Sequence, residues 1–89
     1  MDFEWDGRKA AANERKHGVS FDEAMTVFAD WESITIPDPD HSIGEERFLV
    51  IGLSARDRLL VVSHADRGDN TRIISARRAD AHERRKYGR

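Results

Sequence analysis

The chain has 89 residues, enough for one domain built on a single core. Apolar residues make up 38% and charged residues 36%, with no low-complexity tract, which excludes fibrous and disordered classes; with no cysteine, disulfides, zinc–cysteine sites and thiol nucleophiles are excluded too. The net charge of −2 hides a split: residues 1–44 hold 4 Lys/Arg against 10 Asp/Glu (−6), whereas residues 45–89 hold 11 against 7 (+4), so one half suits a basic partner and the arginine-rich half an anionic one.

The opening Asp2-Phe3-Glu4-Trp5 alternates polar and apolar residues and reads as a short edge strand. Asp6 caps a predicted helix over Gly7–His17, and Gly18 supplies its left-handed stop. Ser20 and Glu23 have capping-box spacing, with Val19 and Ala24 as the hydrophobic staple, so a second helix starts at Phe21 and runs to about Ala29 on a stripe of Phe21, Ala24, Val27 and Phe28. Trp31–Ile36 is β-branched and aromatic and reads as a strand that ends at Pro37-Asp38-Pro39-Asp40. Glu45–Leu53 alternates on both faces, with Arg47, Leu49 and Ile51 opposite Phe48, Val50 and Gly52, and pairs through a turn at Ser54–Asp57 with a strand over Arg58–His64. Arg67–Asn70 is a further turn, Thr71–Ser75 a strand, and Arg77–Tyr87 a helix supported by Asp80 and Arg84 at i, i+4. The order β-α-α-β-β-β-β-α predicts an α+β fold, a mainly antiparallel sheet with two N-terminal helices and a C-terminal helix packed on one face. Three short helices are little cover for two apolar sheet faces, so an exposed apolar patch is expected.

No apolar run approaches the ~20 residues of a membrane helix. The acidic N-terminus Met1-Asp2-Phe3-Glu4-Trp5-Asp6 is unlike a signal peptide, so a cytoplasmic, non-membrane protein is expected.

Phe3-Glu4-Trp5-Asp6, Asn13, Lys16-His17-Gly18-Val19-Ser20-Phe21, Ala24, Val27-Phe28, Glu45-Glu46-Arg47, Ile51-Gly52 and Arg72-Ile73-Ile74-Ser75-Ala76-Arg77 form an ordered series over nearly the whole chain, residues 1–89, that resembles the BrnT family. Asp30-Trp31 departs from the Asp-Pro common in that family. The resemblance implies a RelE-like fold and a toxin of a type II toxin–antitoxin system: a metal-independent endoribonuclease that cleaves RNA and arrests translation, with no cofactor. It also implies a cognate, BrnA-like antitoxin, basic and DNA-binding, that neutralises the toxin and with it represses their operon, so that DNA is bound only through the complex. The alternative from another class is a non-catalytic interaction module or corepressor subunit that grips a DNA-binding partner.

Cleavage of RNA without a metal needs a base for the 2′-hydroxyl, an acid for the departing 5′-oxygen and cations over the phosphate. His64 and Arg67 are candidates for acid/base and phosphate clamp, against a strand-end histidine that only caps a turn. Arg77, expected at a strand-to-helix junction, is the stronger phosphate candidate beside Arg72, against a structural salt bridge to an acidic residue of the N-terminal half. Glu83 and Tyr87 at i, i+4 place a carboxylate where it orients a phenol or acts as base, against plain surface decoration. Lys16, His17, Arg47 and Arg72 are the candidate RNA-binding residues, although the helix dipole alone accounts for Lys16 and His17. The loop Asp38, Asp40, His41 and Glu45 has oxygen and nitrogen ligands for a divalent ion, but a solvated acidic loop is preferred and no metal site is expected.

Overall fold

A computed structural model describes residues 2–88. The backbone forms β1 (Asp2–Glu4), α1 (Gly7–His17), α2 (Phe21–Thr26), a 3₁₀ turn over Val27–Ala29, β2 (Ile34–Pro37), a second 3₁₀ turn over Pro39–His41, β3 (Arg47–Leu53), β4 (Leu59–Arg67), β5 (Asn70–Arg78) and α3 (Ala81–Lys86). The strands make one sheet in the order β1-β5-β4-β3-β2, antiparallel except where β1 runs parallel to β5. The class is α+β.

Local chemistry sets the helix ends. Asp6 accepts hydrogen bonds from the Arg8 and Lys9 N–H groups at 2.8 and 3.0 Å, and Gly18 ends α1 at φ 70°. Ser20 caps α2 by accepting from Glu23 N–H at 3.0 Å. The expected capping box is only half made there, because the Glu23 carboxylate turns away to Ser54 and Arg58. The full box is at α3, where Asp80 accepts from Glu83 N–H and Glu83 accepts from Asp80 N–H.

Several element bounds differ from the sequence expectation. β4 runs on to Arg67 and β5 to Arg78, since each borrows its ladder from the other, so α3 starts after Asp80 and not at Arg77. Asp80 is therefore the cap of α3 and not a mid-helix partner of Arg84. Trp31 lies in a turn ahead of β2, because Asp30 accepts from Glu32 N–H and the Asp30 carbonyl accepts from Ser33 N–H.

Alternation divides the sheet. Val50, Leu60, Val62, Ile73 and Ala76 face α1 and α2 and bury Val19, Phe21, Ala24 and Val27. Gly52 lets that layer come close: a Cβ there would stand 2.8 Å from Val27 Cγ1. Leu49, Ile51, Leu59 and Val61 project to the opposite face, where Ala79 and Tyr87 pack on them. The C-terminal helix therefore serves the opposite face to α1 and α2, which corrects the expectation of helices on one face only.

Buried Asn13 joins the layers. Its amide donates to the Val19 and Ala76 carbonyls at 3.0 and 2.8 Å and accepts from Ala76 N–H at 3.1 Å. Asn13→Ala leaves the Ala76 peptide group unpaired in the interior and should lower the unfolding free energy by about 2–3 kcal/mol in urea denaturation. A loss under about 0.5 kcal/mol, the range of an ordinary surface substitution, would show that these groups find other partners.

Candidate functional site

The face away from α1 and α2 is roofed at one end only. Beyond the roof lies a cleft of about 260 Å³ lined by Asp38, His41, Arg47, Leu49, Ser63, Ile74, Ser75 and Arg77. The register places these residues in rows: Ile51, Val61 and Arg77 in one, Leu49, Ser63 and Ser75 in the next, then Arg47, Ala65 and Arg72. Residues directly opposed on neighbouring strands share a face, so Arg72 extends the cationic lining beyond the cleft. Between Ser63 and His64 the pairing slips, leaving Ile74 unopposed on β5, and this bulge turns both Ile74 and Ser75 toward the cleft.

Each charged group in the cleft is differently held. Arg47 Nε is buried and makes no hydrogen bond; its nearest acid is Glu45 at 3.6 Å. Arg77 is gripped by Glu83 in a bidentate pair at 2.8 and 2.7 Å and also donates to the Arg78 carbonyl. Its Nε–H and one Nη2 hydrogen remain for a ligand. The hydrogen-bonded Glu83 carboxylate raises the Arg77 pKa, so the guanidinium stays charged.

His41 Nδ1 lies 3.0 and 3.1 Å from the two Asp38 oxygens. A carboxylate only accepts, so Nδ1 carries a proton, which in the neutral ring leaves Nε2 as the acceptor nitrogen of a side chain that is 67% exposed. The loop is itself anchored: Asp38 N–H donates to the Arg47 carbonyl, while Ser42 Oγ donates to the Asp38 carbonyl and accepts from Arg47 N–H. Among the described residues no three His, Asp or Glu side chains gather as a metal site requires.

The sequence candidates divide accordingly. Arg47 and Arg77 meet in the cleft, Arg72 lies on the same face, and Arg67 follows on that face by strand alternation, exposed at the β4 end. His64 does not reach the cleft. It is mid-strand and only 6% exposed, packed between Phe28 and Phe48 on the helix-covered face, and burial pushes its pKa down. Glu83 bonds Arg77 and not Tyr87; the Arg77 hydrogen bond holds its carboxyl at about 2, far too acidic for a base. Tyr87 donates to Asp30 at 2.5 Å, which pushes its phenol up to about 12 and closes α3 over Ile51 and Val61. Lys16 and His17 end α1, across the sheet from the cleft. Arg77 does enter a salt bridge, but with Glu83 of the C-terminal half and not with an acid of the N-terminal half as expected. The hydrogen-bonded Asp38–His41 pair was not foreseen; the Asp-x-x-His spacing on the Pro39 turn is its signal in the sequence.

Fold and cleft together define a small α+β domain with an arginine- and histidine-lined cleft on a half-open sheet face. The sequence model described as the ribonuclease toxin BrnT of type II toxin–antitoxin systems matches residues 5–83, and the chain belongs to that family. The crystal structure of the Brucella abortus ribonuclease toxin BrnT is similar in fold, with a TM-score of 0.71 at 23% identity over 90% of this chain and 97% of that one. A comparison with curated protein sequences gives no match. Among the described residues, no helix is long and apolar enough to cross a membrane.

The Arg77–Glu83 pair makes an acid-sensitive contribution to stability. The Glu83 carboxyl is lowered from 4.5 unfolded to about 2 folded, so its contribution is complete above about pH 4.5 and fades as pH falls toward 2. Urea melts of the wild type and Glu83→Gln should therefore converge over that window, and a stability difference independent of pH would refute the assignment.

Proposed function

We propose that the chain is a metal-independent endoribonuclease toxin of RelE-like type, with RNA lying along the open sheet face and a phosphodiester seated in the cleft. Arg47 and Arg77 bind the phosphate oxygens and stabilise the charge that builds up on them. His41 Nε2 takes the 2′-hydroxyl proton, with Asp38 as the positioning residue that fixes its tautomer. The 2′-oxygen bonds to phosphorus as the P–O5′ bond breaks, and the 5′-oxygen takes a proton from water at the open mouth. The products are a 2′,3′-cyclic phosphate and a 5′-hydroxyl. Arg72 and Arg67 suit flanking phosphates on the same face. The observation that carries this reading is the meeting of Arg47, Arg77 and the Asp38–His41 pair in one cleft of a chain from a ribonuclease toxin family.

The family also supports an antitoxin partner. We infer that this partner is basic and BrnA-like, covers the acidic half of the chain, inhibits cleavage and supplies the DNA contacts by which the complex represses its operon. With a net charge of −2 the toxin alone is a poor DNA ligand.

Purified protein should cut single-stranded RNA in the presence of EDTA and leave cyclic phosphate ends; activity that disappears with chelator and returns with magnesium would overturn the mechanism. His41→Ala, Arg47→Ala and Arg77→Ala should each lower the cleavage rate by about 10²-fold or more in folded protein. His64→Gln should leave the rate within a few-fold. Absence of cleavage by folded wild type would instead favour the non-catalytic interaction module.

A further inference from the structure

At the end of the sheet remote from the cleft, Trp31 is 98% exposed, and Leu53, whose N–H donates to Oδ2 of the neighbouring Asp30 at 2.7 Å, is 38% exposed. β2 alone separates this corner from Asp38 by roughly 13 Å. Trp31 is flanked by Asp30 and Glu32, and among the described residues neither carboxylate enters an ion pair. The turn is not loose: Asp30 also accepts from Glu32 N–H at 3.0 Å and from Tyr87 Oη–H at 2.5 Å, and Ser33 N–H donates to the Asp30 carbonyl. An exposed aromatic ring on a tied turn, flanked in the chain by two carboxylates that enter no ion pair among the described residues, is matched by a cation that also carries apolar surface.

We propose that the Trp31–Leu53 corner is a docking surface for a protein segment in which arginine or lysine alternates with apolar side chains, and that this segment belongs to the antitoxin. The proposal rests on the reading of the chain as a toxin with such a partner. The ring and Leu53 take the apolar side chains, while Asp30 and Glu32 take the cations. RNA is disfavoured because its phosphates would meet the two carboxylates, although bases stack well on aromatic rings. A second copy of this chain on a two-fold axis would set the same acidic corner against itself. Because the corner and the cleft are at opposite ends of β2, docking here leaves the cleft chemistry of the free toxin unaffected by Trp31.

The test uses the full chain and the antitoxin encoded beside it, co-expressed and then separated. Both tryptophans fluoresce, so a Trp5→Phe variant isolates Trp31. On titration with antitoxin its emission should shift to the blue and its quenching by acrylamide should fall. Trp31→Ala and Glu32→Lys should each weaken antitoxin binding on the order of tenfold or more, while cleavage of RNA by the free chain stays at the wild-type rate. The Glu32→Lys complex should also lose part of the salt dependence of association. Trp31 as accessible in the complex as in the free chain, or unchanged affinity in both variants, overturns the proposal. So does protection of Trp31 by single-stranded RNA, or by self-association in sedimentation without antitoxin. A chain that cleaves RNA and binds antitoxin with Trp31 still exposed defeats this inference alone; a chain that does not bind the antitoxin at all defeats the toxin reading with it.

Discussion

Burial of β4 on both faces is the constraint from which the remaining architecture follows. Leu60 and Val62 need cover on one side and Leu59 and Val61 on the other, at about 25 cal/mol for each Å² of apolar surface removed from water. α1 and α2 supply the first layer. Only the short α3 is left for the second, and its Tyr87 roofs Ile51, Leu59 and Val61 and stops there. The uncovered remainder would be a hydrophobic patch if the strand pattern continued, but the next rows carry Ser63, Ser75, Arg47 and Arg72 instead. The anticipated apolar patch on the sheet is thus a cationic cleft, and among the described residues the strongly exposed large apolar side chains, Trp31 and Ile43, lie in turns.

Two glutamates with the same sequence signature do different work. Both stand three residues after a capping residue. Glu83 completes its box and grips Arg77 with the same carboxylate, so the start of α3 and the direction of the cleft guanidinium are fixed together. Glu23 gives up its box. It is buried, accepts from Ser54 Oγ at 2.7 Å and pairs with Arg58, whose second nitrogen also donates to the Gly18 carbonyl. The Arg58 hydrogen bond outweighs burial and holds the Glu23 carboxyl below the usual range. A buried carboxylate follows the strongest donor within reach, and an arginine exceeds a backbone N–H.

This explains which parts of the molecule were readable from sequence. Periods and turn residues reported local facts well: the cap at Asp6, the stop at Gly18, and the facing of Arg47, Leu49 and Ile51. They failed where a partner far along the chain decides. β4 and β5 lengthen each other past His64 and Ser75, which moved His64 from a strand end into the core and Arg77 from a helix start into a strand. The i, i+4 relation of Glu83 and Tyr87 was sound for a helix to Tyr87, but α3 stops at Lys86 and their partners are Arg77 and Asp30. Of the arginines singled out in the sequence, Arg47 and Arg77 line the cleft and Arg72 lies on the same face beyond it. His41 was missed because a loop histidine beside several acids reads as solvated, and only the fold of the Pro39 turn shows it turned onto Asp38.

Aspartates bracket β2 and give its two ends separate tasks. Asp38 closes the cleft end by holding His41, and Asp30 closes the other by holding Leu53 and Tyr87. In both cases the aspartate ties its turn to β3, by its carboxylate accepting from Leu53 N–H at one end and by its backbone N–H donating to the Arg47 carbonyl at the other. An edge strand of 4 residues ending in Pro37 offers little ladder for an intruding strand, so the side chains at its ends, and not its open backbone, are the groups presented to other molecules. Arg47 and Arg77 line the cleft with His41 at one end of β2, while Asp30 and Glu32, in no ion pair among the described residues, flank Trp31 in the chain at the other.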